Sequence, residues 1–436
     1  MRWRSSIPDG IAIEPGKISA LVDAFAAFGP LPGGGVSRLC ASPADGAARD
    51  RLTALLREAG AEIRIDPIGN QFGLFRLSGP EGADRPPVMM GSHLDSQARA
   101  GRVDGTLGVV AAFEIGCRLM EARRRGHLFA RDFCVANWTN EEGARFRPSL
   151  LGSGVFTGVH SMATALDSRD DDGIRLSEAL AAIGYLGVDP APPPPFCYLE
   201  LHAEQGEVLE AANQRIGLVT RNWGAAKLDF LFEGEQAHTG PTPMARRRDA
   251  LLAAARTICE VRSLAQGRPG QLHTSVGRIV VSPNSSNVVA DRVEVTAELR
   301  SPDDAILVEA EAAAQAAIRD AAAQAQVDLT LVGRTLRKAR DMPRHVVSFL
   351  TQCAQAAAQP VMPMETVAGH DALSFIGVRP TGLVFVPSIG GVAHNEAEAT
   401  RPADMDAGAF LLLEAAFRLC AETAPFSSEV DMELQP

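Results

Sequence analysis

Cysteine is sparse and scattered in this chain of 436 residues. The seven cysteines are Cys40, Cys117, Cys134, Cys197, Cys259, Cys353 and Cys420. Their number is odd and no two form a C-x-x-C pair, so neither a disulfide framework nor a thiolate zinc knuckle is expected. They read as buried apolar residues in a reducing compartment, which points to the cytoplasm. The opening, MRWRSSIPDGIAIEPG, has charges but no apolar stretch behind them, so no secretory signal is expected. No run is long and apolar enough to cross a bilayer. Basic charge is also short, with 42 Lys and Arg against 53 Asp and Glu, a net charge of -11. That argues against a nucleic-acid or anionic-membrane partner, which would want a basic face. An anionic substrate must then be held by a few locally placed Arg or His residues. Internal repeats are lacking too.

What is present is ordinary for a globular enzyme: 46% hydrophobic and 22% charged residues. The length exceeds what one hydrophobic core usually supports, so two domains are expected. Residues 47–60, AARDRLTALLREAG, carry apolar residues at helical spacing and end on Gly60. PVMMGSH reads as a buried strand, 105–126 as a long helix closed by Gly126, and DFCVANWTN as a second strand. Strand, long helix, strand is the βαβ pattern of a mostly parallel sheet. Ligands bind such sheets outside the carboxyl ends of the strands. Residues 161–196, with Asp170-Asp171-Asp172 and Pro192–Pro195, read as a surface excursion. Beyond residue 219, AKLDFLF and RVEVTAELR alternate apolar with polar, as half-buried antiparallel strands do. Helices are expected near 246–262 and 303–325, the latter opened by Ser301-Pro302-Asp303-Asp304. The fold class is therefore α/β: a domain with a mostly parallel central sheet over 1–218 and 333–436, and an inserted α+β domain over 219–332.

Five short motifs carry the chemistry. They are Gly91-Ser92-His93-Leu94-Asp95-Ser96, Val103-Asp104-Gly105, Thr139-Asn140-Glu141-Glu142-Gly143, Glu200-Leu201-His202-Ala203-Glu204-Gln205-Gly206 and Gly391-Val392-Ala393-His394. Together they offer three imidazoles and several carboxylates without a thiol, a donor set suited to Zn, Mn, Co or Ni. Each alone has an ordinary reading: a lone His is usually a hydrogen-bonded structural residue, and Glu-Glu a solvated loop. Here Glu141-Glu142 follows an apolar strand directly, where burying two like charges is costly without a cation.

The ordered set resembles the carbamoylase and allantoate-amidohydrolase branch of the di-metal aminoacylase/carboxypeptidase superfamily. The resemblance runs from GGGVSRLCASPADGAARDRL (33–52) to GGVAHNEAE (390–398). Between them lie GSHLDS, DGTLGV, TNEEGARF, ELHAEQGEVLE, AHTGPTPMARRRDA, PNSSNVV, AGHDA and FVPS. It implies a metal-binding α/β domain with an inserted dimerisation or lid domain, and hence a homodimer. It implies two divalent ions per chain, one on His93 and His202, the other on Glu142 and His394, with Asp104 bridging. Glu141 would be the general base on the water between them, and Asp95 would orient the His93 ring. His238, Asn287, Arg300 and Gln205 match substrate-holding positions, with His238 also able to stabilise an oxyanion, in one reading from a partner subunit. His370-Asp371 matches a motif near the site. For Arg300 the residues alone suggest instead a salt bridge at a strand end. The implied substrate is a small ureido or carbamoyl carboxylate: an N-carbamoyl amino acid, a ureido acid or allantoate. A metallo-peptidase or N-acyl-amino-acid deacylase, and a non-catalytic scaffold, are the alternatives. Ala100-Gly101, Ala290-Asp291 and Thr239-Gly240-Pro241 depart from the branch pattern beside the substrate positions, and none removes an implied ligand.

Overall fold

The computed structural model describes residues 6–426. The first five residues of the opening stretch, and residues 427–436 of the expected catalytic domain, lie outside the described residues. The chain divides into two compact units, one made of Arg221–Asp341 with Glu365–Val367 and the other of the remainder.

In the larger unit a sheet runs in the order Glu62–Ile65, Gln71–Phe75, Phe133–Trp138, Val88–His93, Cys197–Ala203, Thr381–Val386, Gly217–Asn222. The four strands from Phe133–Trp138 to Thr381–Val386 are parallel, and the flanking pairs are antiparallel. This is the α/β architecture expected from the βαβ pattern. The central strands are apolar on both faces because both faces are covered. Val88, Met90, Leu199, Leu201, Val384 and Val386 pack with residues of the helices Thr106–Arg124 and Pro402–Ala421. Met89, Trp138, Tyr198, Leu383 and Phe385 form a second core with Leu373 and Phe375. The polar atoms carried into that core are paired: the Trp138 Nε1–H donates to the Tyr198 hydroxyl at 2.9 Å, which donates to the Gly91 carbonyl at 3.0 Å. Register aligns the carboxyl ends, pairing His93 with Trp138 and Phe385 with His202. Those ends therefore open on one edge of the sheet.

Residues 161–196 are more than a surface excursion. Ser161 caps a short helix, Met162–Asp167, and a second, Leu176–Ala182, follows. Leu176, Ala179 and Leu180 recur at helical spacing and bury a satellite core with Tyr185, Ile68 and Phe146. Asp170 is turned inward, accepting from the backbone N–H of Asp172 and Ile174 and pairing with Arg145 at 3.0 Å. Of the cysteines, Cys259 is exposed and Cys117 half-buried, while the other five are buried as expected.

The smaller unit has a four-stranded antiparallel sheet in the order Asp328–Arg337, Gly224–Glu233, Arg292–Ser301, His273–Ser282. Ala226, Leu228, Phe230 and Phe232 alternate with polar residues and pack with Val293, Val295, Ala297 and Leu299 under the helices Ala250–Gln266 and Asp304–Ala325. Asp303 caps the second helix through the Ala305 and Ile306 N–H groups. The expected break near residue 333 falls inside the Asp328–Arg337 strand, which pairs with Gly224–Glu233 as far as Arg337.

One buried ion pair ties the outer helix to the sheet ends. In the helix Pro43–Glu58, Arg49 and Asp45 are both fully buried and 2.9 Å apart. Arg49 also donates to the Gly69 carbonyl at 2.7 Å and to the Thr139 hydroxyl at 3.4 Å, two residues before Glu141. Removing one partner of a buried pair strands the other's charge, at a cost of about 3–5 kcal/mol. Arg49→Met should lower the first urea-unfolding midpoint accordingly, and Arg49→Met with Asp45→Leu should recover part of the loss. A midpoint unchanged by Arg49→Met would show that the pair adds nothing.

Candidate metal centre

His93 ends its strand, and its Nδ1 lies 2.8 Å from the Asp95 carbonyl oxygen. The ring is thus held by the main chain of Asp95. The carboxylate, 3.9 Å from that nitrogen, is engaged elsewhere and accepts from the Glu141 N–H at 3.2 Å and the Glu142 N–H at 3.4 Å. The Asp95 backbone carbonyl, rather than its carboxylate, faces the imidazole, while its side chain fixes the glutamate turn. His202 is held in the same manner, with Nδ1 2.9 Å from the Ala203 carbonyl oxygen. Both Nε2 atoms are left facing Asp104 Oδ1, at 3.8 Å from His93 and 3.2 Å from His202. Gly105 allows this approach: its φ is +60°, and a Cβ there would collide with the His93 ring.

The other Asp104 oxygen, Oδ2, lies 3.6 Å from His394 Nε2, which is 3.4 Å from Glu142 Oε2. The expected ligands therefore form two groups, His93–Asp104–His202 and Asp104–Glu142–His394, with donor atoms within 4.8 Å of one another in each. They share Asp104. Glu141 belongs to neither group, although its Oε2 is 3.5 Å from His93 Nε2.

The electrostatics suit cations. Burial, reinforced by Asp371, Glu142, Asp95 and Asp104, pushes Glu141 well above the ordinary carboxyl range. Burial with Asp104 and Asp95 does the same to Glu142. Burial opposes the ionised form of Asp104 as well, but the His202 hydrogen bond and the nearby imidazole charges overcome it and hold Asp104 low. Burial, opposed by Asp104, lowers His93 to about 4. Burial also disfavours charged His202, yet the Asp104 hydrogen bond and charge raise it to about 9. Donors that compete for protons in this way are what a bound cation relieves, with proton release.

Gln205 lies beside the centre: its Nε2 donates to Asp104 Oδ2 at 3.0 Å, and its N–H donates to Ser388 Oγ at 2.9 Å. His370 is buried, its ring 4.5 Å from that of His202. His238, Asn287 and Arg300 belong to the smaller unit. There His238 and Asn287 are exposed. His238 Nδ1 accepts from the Gly240 N–H at 3.1 Å, and the Asn287 carbonyl accepts from the Thr239 N–H at 3.2 Å. Arg300 forms the salt bridge suggested by the residues alone, with Nη2 2.9 Å from Glu298 Oε1, and Nη1 donates to the Val367 carbonyl at 2.5 Å.

Three polar residues beside the centre are not among the expected ones. Gln97 donates to Glu142 from its backbone at 3.2 Å and its amide at 2.8 Å. Glu200 accepts from Ser92 Oγ at 2.8 Å and the Ala372 N–H at 2.7 Å. It sits two residues before His202 on the same strand, so period-two alternation could have placed it on the same face. Glu398 is buried, and burial with the charge of Asp104 raises it to about 8.

A partly parallel sheet with imidazoles and carboxylates gathered at one edge offers the donors that a metal-dependent hydrolase requires. The chain belongs to peptidase family M20/M25/M40, whose profile matches residues 89–418. It is 39% identical to a putative hydrolase of Mycolicibacterium smegmatis over 94% of each chain. It is 36% identical to the N-carbamoyl-L-amino-acid amidohydrolase of Rhizobium meliloti, covering 90% of this chain and 93% of that one. A crystal structure of an amidase of the hydantoinase/carbamoylase family from Burkholderia vietnamiensis superposes with a TM-score of 0.90 at 37% identity, covering 95% of this chain and 99% of the other. The branch resemblance seen in the motifs is borne out by these relatives.

Proposed function

We propose that the chain hydrolyses the C–N bond of a ureido or carbamoyl group on a small carboxylate, using two divalent ions. The observation that carries this is the pair of ligand groups joined at Asp104, with Glu141 left outside both. His93 and His202 would hold one ion, Glu142 and His394 the other, and Asp104 both. Zn, Mn, Co and Ni all suit these donors. Bound there, the ions supply Lewis acidity toward a carbonyl and toward water. Glu141 takes the proton of the attacking water and returns it to the departing nitrogen. Gln205 keeps Asp104 in place. The roles that the resemblance gives Gln205, His238, Asn287 and Arg300 in holding substrate, and His370 beside it, are part of the proposal. A homodimer, which sedimentation measures, is also part of the proposal; the helix Ala250–Gln266 exposes Leu251, Leu252 and Ile258. No helix among the described residues is long and apolar enough to cross a membrane, and free thiols suit a reducing compartment such as the cytoplasm.

The test is the metal-loaded protein against N-carbamoyl amino acids, ureido acids, allantoate, N-acyl amino acids and dipeptides, with ammonia and free amine both measured. Ammonia release from the first three classes is expected; amine release from acyl or peptide substrates at higher kcat/KM favours the peptidase or deacylase reading. Arg300 has five N–H donors, of which Glu298 and Val367 engage three, leaving two for a substrate carboxylate. A charged hydrogen-bond pair contributes about 1.5–3 kcal/mol, so Arg300→Lys should lower kcat/KM by about 10- to 100-fold, while Glu298→Gln should cost far less. Substrate amides cleaved as fast as the acids would remove the clamp.

A further inference from the structure

His394 is the exception among the proposed ligands. Its side chain is 53% exposed, whereas His93 and His202 are buried. Its backbone is left-handed, with φ of 49°, a conformation that a residue with a Cβ keeps only when its surroundings hold it. The segment carrying it is a loop closed at its base by the Ile389 N–H on the Ala399 carbonyl. On one side the loop is tied to Glu210, which accepts from the Gly390 N–H at 2.6 Å. On the other side the fastening is Glu396, two residues past His394.

Glu396 Oε2 accepts from the Gly33 N–H at 3.0 Å, and Oε1 accepts from Arg99 Nε at 2.6 Å. Arg99 stands between Gln97, which holds Glu142, and Ala100, whose N–H and carbonyl pair with Val36. Gly35 lies against the same point: a Cβ there would come within 2.7 Å of Glu396 Cα and collide with the Ala100 carbonyl oxygen. The Gly33-Gly34-Gly35 run makes a tight turn, with Gly34 at a φ of 89° and its N–H donating to the Leu31 carbonyl at 3.0 Å.

We propose that Glu396 is a positioning residue for the second ion, and that Gly33, Gly35 and Arg99 form with it a latch that sets His394 against Asp104 and Glu142. The inference rests on the two-ion reading. The latch touches none of the groups holding His93 and His202, whose rings are fixed by the Asp95 and Ala203 carbonyls. Loosening it therefore weakens one ion and spares the other. Changes outside the ligand set cost about 10–100-fold in metal affinity in comparable centres, and the lower figure is expected here.

The experiment is titration of the chelator-stripped full chain with Zn²⁺, read by calorimetry and by zinc content after dialysis. The parent should take up two ions. Glu396→Ala should bind the tighter ion unchanged and the weaker about tenfold less tightly, with turnover restored by added zinc. Glu396→Gln, which keeps an acceptor for Gly33, should stay within a few-fold of the parent. Gly33→Ala, whose Cβ would collide with Glu396 Oε2, should reproduce Glu396→Ala, so that misfolding of either variant leaves the other to decide. A parent that takes up one ion overturns the two-ion reading and the latch with it. A two-ion parent with both variants unchanged overturns the latch alone, as does equal weakening of both ions.

Discussion

Glu141→Gln should lower kcat by about 10²–10⁴-fold while the protein keeps the metal content of its parent, because the amide cannot take a proton. The two neighbouring glutamates make the contrast sharp. Glu142 is tied to Gln97 and sits 3.4 Å from His394, inside a ligand group. Glu141 receives a backbone tether from Asp95 but joins no ligand group. Without cations its burial beside other carboxylates holds its proton, and ions bound at the neighbouring groups would favour its ionised form, which is the form that can accept a proton from water. Glu142→Ala should instead lower metal content first and activity as a consequence, with partial recovery at high metal concentration. Kinetics and elemental analysis on the same preparations separate the roles. Glu141→Gln within a few-fold of the parent would move the base elsewhere.

The parts of this centre that were legible in the sequence lie where a strand ends in a short loop. His93, His202 and the Glu141-Glu142 pair each follow an apolar run directly, and a parallel sheet brings such ends to one edge whatever the details of packing. Asp104 was legible for a related reason, since it opens the long helix between the first two strands. What stayed hidden depends on contacts between distant segments. Nothing about Gln97 or Glu398 in the chain marks them as neighbours of Asp104 or Glu142, and a single polar residue in a loop is usually solvated. Whether Asp95 would use its carboxylate or its carbonyl toward His93 is likewise invisible, because any residue offers a carbonyl. At 161–196 the acidic and proline runs outweighed a weaker helical signal in Leu176, Ala179 and Leu180, although these bury the satellite core. Arg300 shows the reverse case. The residues alone suggested an ion pair at a strand end, and the pair with Glu298 is there.

Chelation should abolish turnover and leave a protein whose stability falls as pH rises from about 6.5 to 8, with re-addition of metal reversing both. Stripped of cations, the centre is a cluster of buried carboxyls that keep their protons. Burial, with charges nearby, lifts Asp95 to about 7, Glu200 to about 7 and Glu398 to about 8, and pushes Glu141 and Glu142 well up. His202 also keeps its proton, to about 9. In the unfolded chain the carboxyls lose theirs near pH 4 and the imidazole near 6.5. Above pH 6.5 the folded apo protein therefore binds more protons than the unfolded chain, so the slope of stability with pH is negative. His93, lowered to about 4, works in the opposite sense only below about pH 6.5, where its unfolded counterpart is charged. Bound cations would replace the protons of their ligands and favour ionised neighbours, which weakens the dependence and adds about 4 kcal/mol for each ion present at a thousand times its dissociation constant. The melting temperatures of the loaded and stripped protein should thus diverge as pH rises, and adding metal to the stripped protein at pH 7.5 in weak buffer should release protons. Parallel melting curves across that range, or metal uptake without acidification, would show that the carboxyl cluster is not where the ions bind.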